Sequence, residues 1–322
     1  MTTDPASPPD PAQLFSAAAR QRDLAELQCT VGAAFGLTFT EMDLHDPRSV
    51  AAVTESFARA RVNGSASNGR RFARGVARNR LLVGQDMAPA AALAATGMNP
   101  HTGEKERFAL IAFNVMNNHV LQGAFGDLRR IFGAAELRQT ERMTLLHEAG
   151  HVVVQHAEQA GAEAWGDAVA ALDAAAGEAG DAIRQWAASD LGAVSYPEVR
   201  RLLLRAADQL DALQARVRAG EGGLCYDADA LRKRFRAIRR SAGYRNFQEN
   251  MGDAFMALKL RQEGVDVSGV VGDARARGDP EHNTQPSLAA IGALTGSSLL
   301  GMGVRQLMIC AAQLVQRALR IG

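Results

Sequence analysis

Two histidines four residues apart, with a glutamate directly after the first, are the residues of this chain whose types and spacing most directly imply chemistry: His147-Glu148-Ala149-Gly150-His151. On a helix of 3.6 residues per turn, positions four apart share a face, so both imidazoles can reach one metal ion. Glu148 is carried on nearly the same face, close enough to polarise a water bound to that ion, which is the geometry a zinc hydrolase needs. In a chain of 322 residues with seven histidines and 35 acids, such a string arises by chance on the order of once in a hundred cases. The bland alternative is two helix histidines with ordinary hydrogen-bond partners and a solvated carboxylate between them.

Catalytic zinc takes three protein ligands and keeps one position for water, so a third donor must come from elsewhere. The best source is the helical stretch Phe247 to Leu258, which carries two carboxylates four apart, Glu249 and Asp253. One can ligate while the other supports, because a metal-bound histidine usually donates its second N–H to a carboxylate that fixes the ring. With these residues in place the chain resembles the zincin metallopeptidases, and among them the gluzincin branch, in which His-Glu-x-x-His is completed by Glu-x-x-x-Asp on a later helix. The resemblance implies Glu249 as third zinc ligand and Asp253 as the group that orients a ligand histidine. The Asn-Glu opening of many gluzincins is absent, and Gly252 stands where a small Ala is frequent, which leaves Asp253 as the alternative ligand. The metzincin pattern needs Gly three and His six residues after His151, where this chain has Val154 and Ala157. A di-iron bundle needs two Glu-x-x-His motifs, and Glu148 to His151 is the only such spacing.

A polar segment, Arg275 to Thr284, follows the acidic helix and precedes a helix that starts at Pro286. Its His282 is the candidate for stabilising the oxyanion of a tetrahedral intermediate, a place that zincins commonly give to His, Tyr or Arg. Similar segments occur in poorly characterised bacterial zincin-like proteins. Tyr244 and Tyr226 are rivals for that role, and for each of the three residues an ordinary loop or packing function is the plain alternative.

The elements that must position these residues can be read from periodicity. A helix over about Thr140 to Gln159, with Thr140 as N-cap, carries the histidines, and Gly150 inside it implies close packing of another backbone or of the metal site. Arg107 to Met116 is a candidate strand, of the kind that aligns a peptide through backbone hydrogen bonds in zincins, and a helix near Val120 to Phe132 follows it. Residues from about Pro11 to Ala94 read as helical, broken by a turn at Asn63 to Gly69. Helices over Glu163 to Leu191 and Tyr196 to Ala219 form a lid or second lobe, and Gly220 to Gly223 reads as a hinge or turn. A basic helix, Asp227 to Arg240, carries Arg232, Lys233, Arg234, Arg236 and Arg239, and reads as a solvated face or a surface for an acidic partner. Ser287 to Val304 lacks charge, but its glycines and hydroxyls favour a buried hairpin or broken helix over a membrane span. The last segment, Val304 to Ile321, should dock on the core through Leu307, Cys310, Ala311, Leu314 and Leu319.

The expected fold is therefore mainly α, an α+β zincin-like arrangement of helical lobes around the His-Glu-x-x-His helix with a small β element. Residues 1–15, rich in Pro, Ser and Thr, form a disordered tail, and 16–322 a single catalytic domain with a helical N-terminal portion (16–100) and a helical insertion (160–222). A hydrophobic content of 47% supports a substantial core, and a net charge of +1 argues against a nucleic-acid surface. The three cysteines, Cys29, Cys225 and Cys310, form no paired spacing, which fits a reducing compartment. No secretory signal is present at the start, so the chain reads as cytoplasmic, or as exported without a cleaved leader in the manner of a bacterial effector. The function expected is hydrolysis of peptide bonds in a peptide or protein substrate, with Zn²⁺ held by His147, His151 and Glu249 or Asp253, and Glu148 as general base. The alternative from another class is a non-catalytic helical binding or toxin-like protein whose metal site is structural or vestigial.

Overall fold

The computed structural model of the chain describes residues 17–42, 47–62, 66–77, 90–99, 102–113, 137–172, 177–221, 225–276 and 283–321. It is mainly helical, with one small sheet of four strands. The chain resolves into two compact units, Met1–Ala149 and Gly150–Gly322, and the division falls inside the helix that bears the paired histidines. The proposed tail, the turn residues 63–65, the helix near 120–132 and His282 lie outside the described residues.

In the first unit α1 (Ala17–Leu27) runs through a π-helical turn, Gln28–Gly32, into the short α2 (Ala33–Phe35). Gly36 ends that helix at φ +65°, a left-handed conformation that costs a residue without Cβ little. Then follow β1 (Thr38–Met42), α3 (Pro47–Arg59), β2 (Arg61–Val62), α4 (Ala66–Ala77), β3 (Ala90–Met98) and β4 (Lys105–Phe113). The helical reading of 11–94 thus holds for α1, α3 and α4 but not for β1, β2 and the start of β3. Thr38, Phe39 and Thr40 are β-branched and aromatic, and the alanines of β3 are strand only because β4 supplies their pairing, a tertiary override of propensity.

The sheet order is β1-β4-β3-β2, with β1 parallel to β4 and the other pairs antiparallel. This corrects one expectation. The strand foreseen at 107–116 is β4, and it lies inside the sheet, with Phe108 to Ala112 paired to β1 on one side and to β3 on the other. Its backbone groups over that stretch are already spent on ladders, so it cannot align a peptide by strand addition. Helix α3 packs on the sheet through Val53 and Phe57, with Ala60 just after it, against Phe108 and Leu110, all buried, and Phe57 meets Phe108 edge to face at 5.4 Å.

The motif helix, α5 (Leu137–Ala170), spans 34 residues. Thr140 is therefore inside it and not its cap; helix formers from Leu137 onward extend the helix upstream. In the second unit follow α6 (Asp181–Ala188), α7 (Asp190–Val194), α8 (Pro197–Arg218), α9 (Ala228–Arg239), α10 (Ala242–Gln262), α11 (Ser268–Ala276), α12 (Gln285–Gly292) and α13 (Val304–Ala318). Helix α10 is the centre of this unit. From Phe247 to Leu258 every residue but Glu249 is buried, the all-round pattern of an internal helix.

The uncharged stretch 287–304 is broken, as its glycines imply, into α12, a 3₁₀ turn at Gly296–Ser298 and the start of α13. Among the described residues no helix is long and apolar enough to cross a membrane. Helix α13 buries Leu307, Met308, Ala311, Ala312 and Val315, while Cys310, Leu314 and Leu319 are only partly buried, so the apolar stripe is rotated from the one expected. All three cysteines are free.

Candidate metal centre

The site is assembled where α5 and α10 cross. A Cβ at Gly150 would stand 2.8 Å from the Cα of Gly252 and 2.9 Å from the carbonyl oxygen of Met251, distances that real side chains do not occupy. The glycine within the motif and the glycine three residues after Glu249 thus meet backbone to backbone. The glycine inside the motif helix is accounted for by this close approach. The close crossing carries the next residue of α5, His151, to the flank of α10, where its Nε2 lies 3.7 Å from a carboxylate oxygen of Glu249.

His147 lies one turn earlier on the same helix as His151. One ligand atom from each of His147, His151 and Glu249 falls within 4.8 Å of the others, so the three could hold a metal ion. The donor set suits a divalent cation of borderline softness: two neutral imidazoles and one carboxylate, with only 12% of the His151 and 22% of the Glu249 side chain exposed. Glu148 follows His147 on the helix and is 8% exposed.

His151 is oriented from its other nitrogen. Nδ1 sits 3.0 Å from Oε1 of Gln248, the residue before Glu249. With Nδ1–H donating to that oxygen, the Nε2 lone pair points away, toward Glu249. Gln248 was not among the residues singled out from sequence. Its signal was available: an amide directly preceding a ligand carboxylate on a helix otherwise packed with Phe, Met and Ala must have a partner if it is buried.

The two acids of α10 are used differently. Glu249 joins the histidines. Asp253, at 1% exposure, receives two hydrogen bonds from the Arg275 guanidinium, at 2.9 and 3.1 Å, and a third from the Thr284 hydroxyl at 2.7 Å. It is not in the three-residue group, and at His151 the orienting place is taken by Gln248. Asp253 thereby ties Arg275 of α11 and Thr284, just before α12, to α10. Asn250, fully buried, adds to this by accepting from Ser287 at the start of α12 and donating to the backbone oxygen of Asn283.

Of the rival oxyanion donors, Tyr244 is committed elsewhere: its hydroxyl donates to the buried Glu158, and burial holds its pKa far above the ordinary phenol value. Tyr226 accepts from the Trp165 indole at 3.2 Å, and burial raises its pKa as well. On α9, Arg232, Lys233, Arg234 and Arg236 are solvated as expected, and Arg232 also lies over the Trp165 ring. Arg239 departs from that face and forms a buried pair with Glu158 at 2.8 Å.

No protein-family model matches the chain, and neither a curated protein nor a solved structure shows significant similarity to it.

Proposed function

We propose that this chain is a zinc-dependent metallopeptidase of zincin, gluzincin-like type, acting on a peptide or protein substrate. One observation carries the reading: a His-Glu-x-x-His helix and a glutamate from a helix far along the chain bring two nitrogens and one oxygen within 4.8 Å of each other, at a helix crossing that admits only glycine. His147, His151 and Glu249 would hold Zn²⁺, which when bound supplies Lewis acidity and lowers the pKa of its water toward about 7. Three protein ligands among the described residues leave a position for that water, the arrangement of catalytic rather than structural zinc.

The chain's own residues then divide the work. Glu148 takes the proton from the attacking water and passes it to the leaving amine, a transfer that general acid–base groups accelerate by about 10² to 10⁴. Gln248 holds the His151 ring in the ligating tautomer. His282 is assigned to the oxyanion on the sequence reading alone, since it lies outside the described residues.

Glu148→Gln is expected to abolish cleavage of a casein or peptide-library substrate while zinc content stays near one per chain, and His151→Ala to lose the zinc. Cleavage by Glu148→Gln at the parent rate would overturn the catalytic role. A purified chain that takes up no zinc would favour the binding or toxin-like alternative.

A further inference from the structure

A buried polar chain leads away from His151 into the core of the second unit. Gln248 turns Oε1 to His151 Nδ1 and Nε2 to the Tyr244 hydroxyl, 2.8 Å away. Tyr244 stands four residues before Gln248 on the same helix face and donates its O–H to Oε2 of Glu158 at 2.9 Å. Glu158 lies seven residues after His151, two turns along α5, and is fully buried. Its Oε2 also receives Nε–H of Arg239 at 2.8 Å, and its Oε1 the backbone N–H of Tyr196 at 3.4 Å. Edge-to-face packing of Tyr196 on Tyr244, at 5.5 Å, closes the phenol off from solvent.

Each link has only one direction available to it. A phenol has a single proton, and burial keeps that proton on Tyr244. Burial pushes the Glu158 carboxyl above its ordinary value and the Arg239 guanidinium, 2.8 Å away, works against that shift; as the carboxylate partner of Arg239 it accepts. Tyr244 must therefore give its proton to Glu158 and accept from Gln248, which forces the amide NH₂ toward Tyr244 and the amide oxygen toward His151.

We propose that Tyr244 and the Glu158–Arg239 pair are positioning residues for the metal centre: they fix which way Gln248 faces, and through it hold His151 as the Nδ1–H tautomer with Nε2 reserved for the cation. This rests on the metallopeptidase reading only for the identity of the cation. The Nδ1–H form is the less populated one in a free neutral imidazole, and a freely turning amide would present NH₂ and oxygen to it alternately.

The test has two readouts on the full-length chain. In metal-free wild type above the imidazole titration range, nitrogen-15 NMR is expected to show His151 as the Nδ1–H tautomer, and Tyr244→Phe, which keeps the ring and its packing, to show a mixture or the Nε2–H form. Zinc affinity, measured by competition with a chromophoric chelator, should fall about tenfold in Tyr244→Phe, the lower end of what outer partners of ligands contribute. In a Gln248→Glu background, where a carboxylate offers oxygen either way round, Tyr244→Phe should leave zinc affinity unchanged. A merely structural role for Tyr244 would cost affinity in both backgrounds. Wild type in the Nε2–H form, or equal zinc losses in both backgrounds, overturns the proposal, and the wild-type tautomer decides it even if the variant does not fold. A locked tautomer in a chain that binds no zinc would retain the relay and sink the metallopeptidase reading alone.

Discussion

Glu249 and Asp253 are acids one turn apart on one central helix, and they end in opposite chemical states. Asp253 is almost fully buried and meets a guanidinium fork and a hydroxyl, so its charge is answered by the protein and works as a latch. Glu249 is partly open and faces an imidazole at 3.7 Å, within the three-residue group that could hold a metal ion. What separates a candidate ligand from a latch is therefore neither residue type nor spacing but which neighbour the later chain delivers. A carboxylate already spanned by arginine has no strong reason to bind a metal, since the ion would have to displace charge-assisted hydrogen bonds.

The sharpest way to break the comparison is to truncate each acid in turn. Asp253→Ala should destabilise the chain by about 2–3 kcal/mol, below the usual cost of splitting a buried pair because Arg275 is a third exposed and can find water. Glu249→Ala should leave the metal-free unfolding temperature nearly unchanged but remove the rise in that temperature that added zinc produces. Thermal scans with and without zinc read both effects. If Asp253→Ala lost the zinc response while Glu249→Ala kept it, the two roles would have to be exchanged.

The next prediction concerns the crossing that both acids depend on. Gly150→Ala puts a methyl where the backbone of Gly252 and Met251 already lies. Because the obstacle is backbone, overpacking falls at the upper end of the usual range, about 2–3 kcal/mol, and is offset in part by about 1 kcal/mol of gained helix propensity, so a net loss of roughly 1–2 kcal/mol is expected. Because the helices must also separate, zinc affinity should fall with stability. An alanine variant as stable as the parent with full zinc affinity would show that the crossing is not what positions His151.

How much of this was legible in the sequence follows the same division. The paired histidines lie on one helix, and local periodicity alone places them together; the helices of 228–239, 242–262 and 285–292 were likewise visible in the sequence as a helix of about Asp227 to Arg240, a helical stretch Phe247 to Leu258 that reached only part of the second, and a start at Pro286. Glu249 and Asp253 could be named as a pair but not told apart, because the arginine and threonine that separate them come 22 and 31 residues later. Arg239 sat in a run of exposed basic residues, and nothing local distinguishes it from Arg236; only the three-dimensional nearness of Glu158, 81 residues away, does. The strands among the first hundred residues were missed for the complementary reason. An alanine-rich segment such as Ala90 to Ala95 has no strand signature, and becomes one only against β4.

The smallest effect tests the comparison in the first unit, where one acid is held by hydroxyls and an amide and not by a cation. Glu106 on β4 accepts from Thr38, Thr102 and Asn99. Burial works against its ionisation, yet the three hydrogen bonds together outweigh burial and hold its pKa below the ordinary carboxylate value. A depressed folded-state pKa means that the charged form is favoured by folding. The stabilisation is thus complete above the unfolded-state pKa and is lost as pH falls through the lower, folded value. Since the group is largely solvated, the amount is small, and Glu106→Gln should flatten the acid limb of stability against pH without shifting the plateau by more than a few tenths of a kcal/mol. Denaturant unfolding followed between neutral and acid pH measures it. A plateau loss as large as that of Asp253→Ala would show that three neutral donors can hold a strand-borne carboxylate as firmly as an arginine holds a helix-borne one, and the distinction between latch and ligand would no longer rest on the counter-charge.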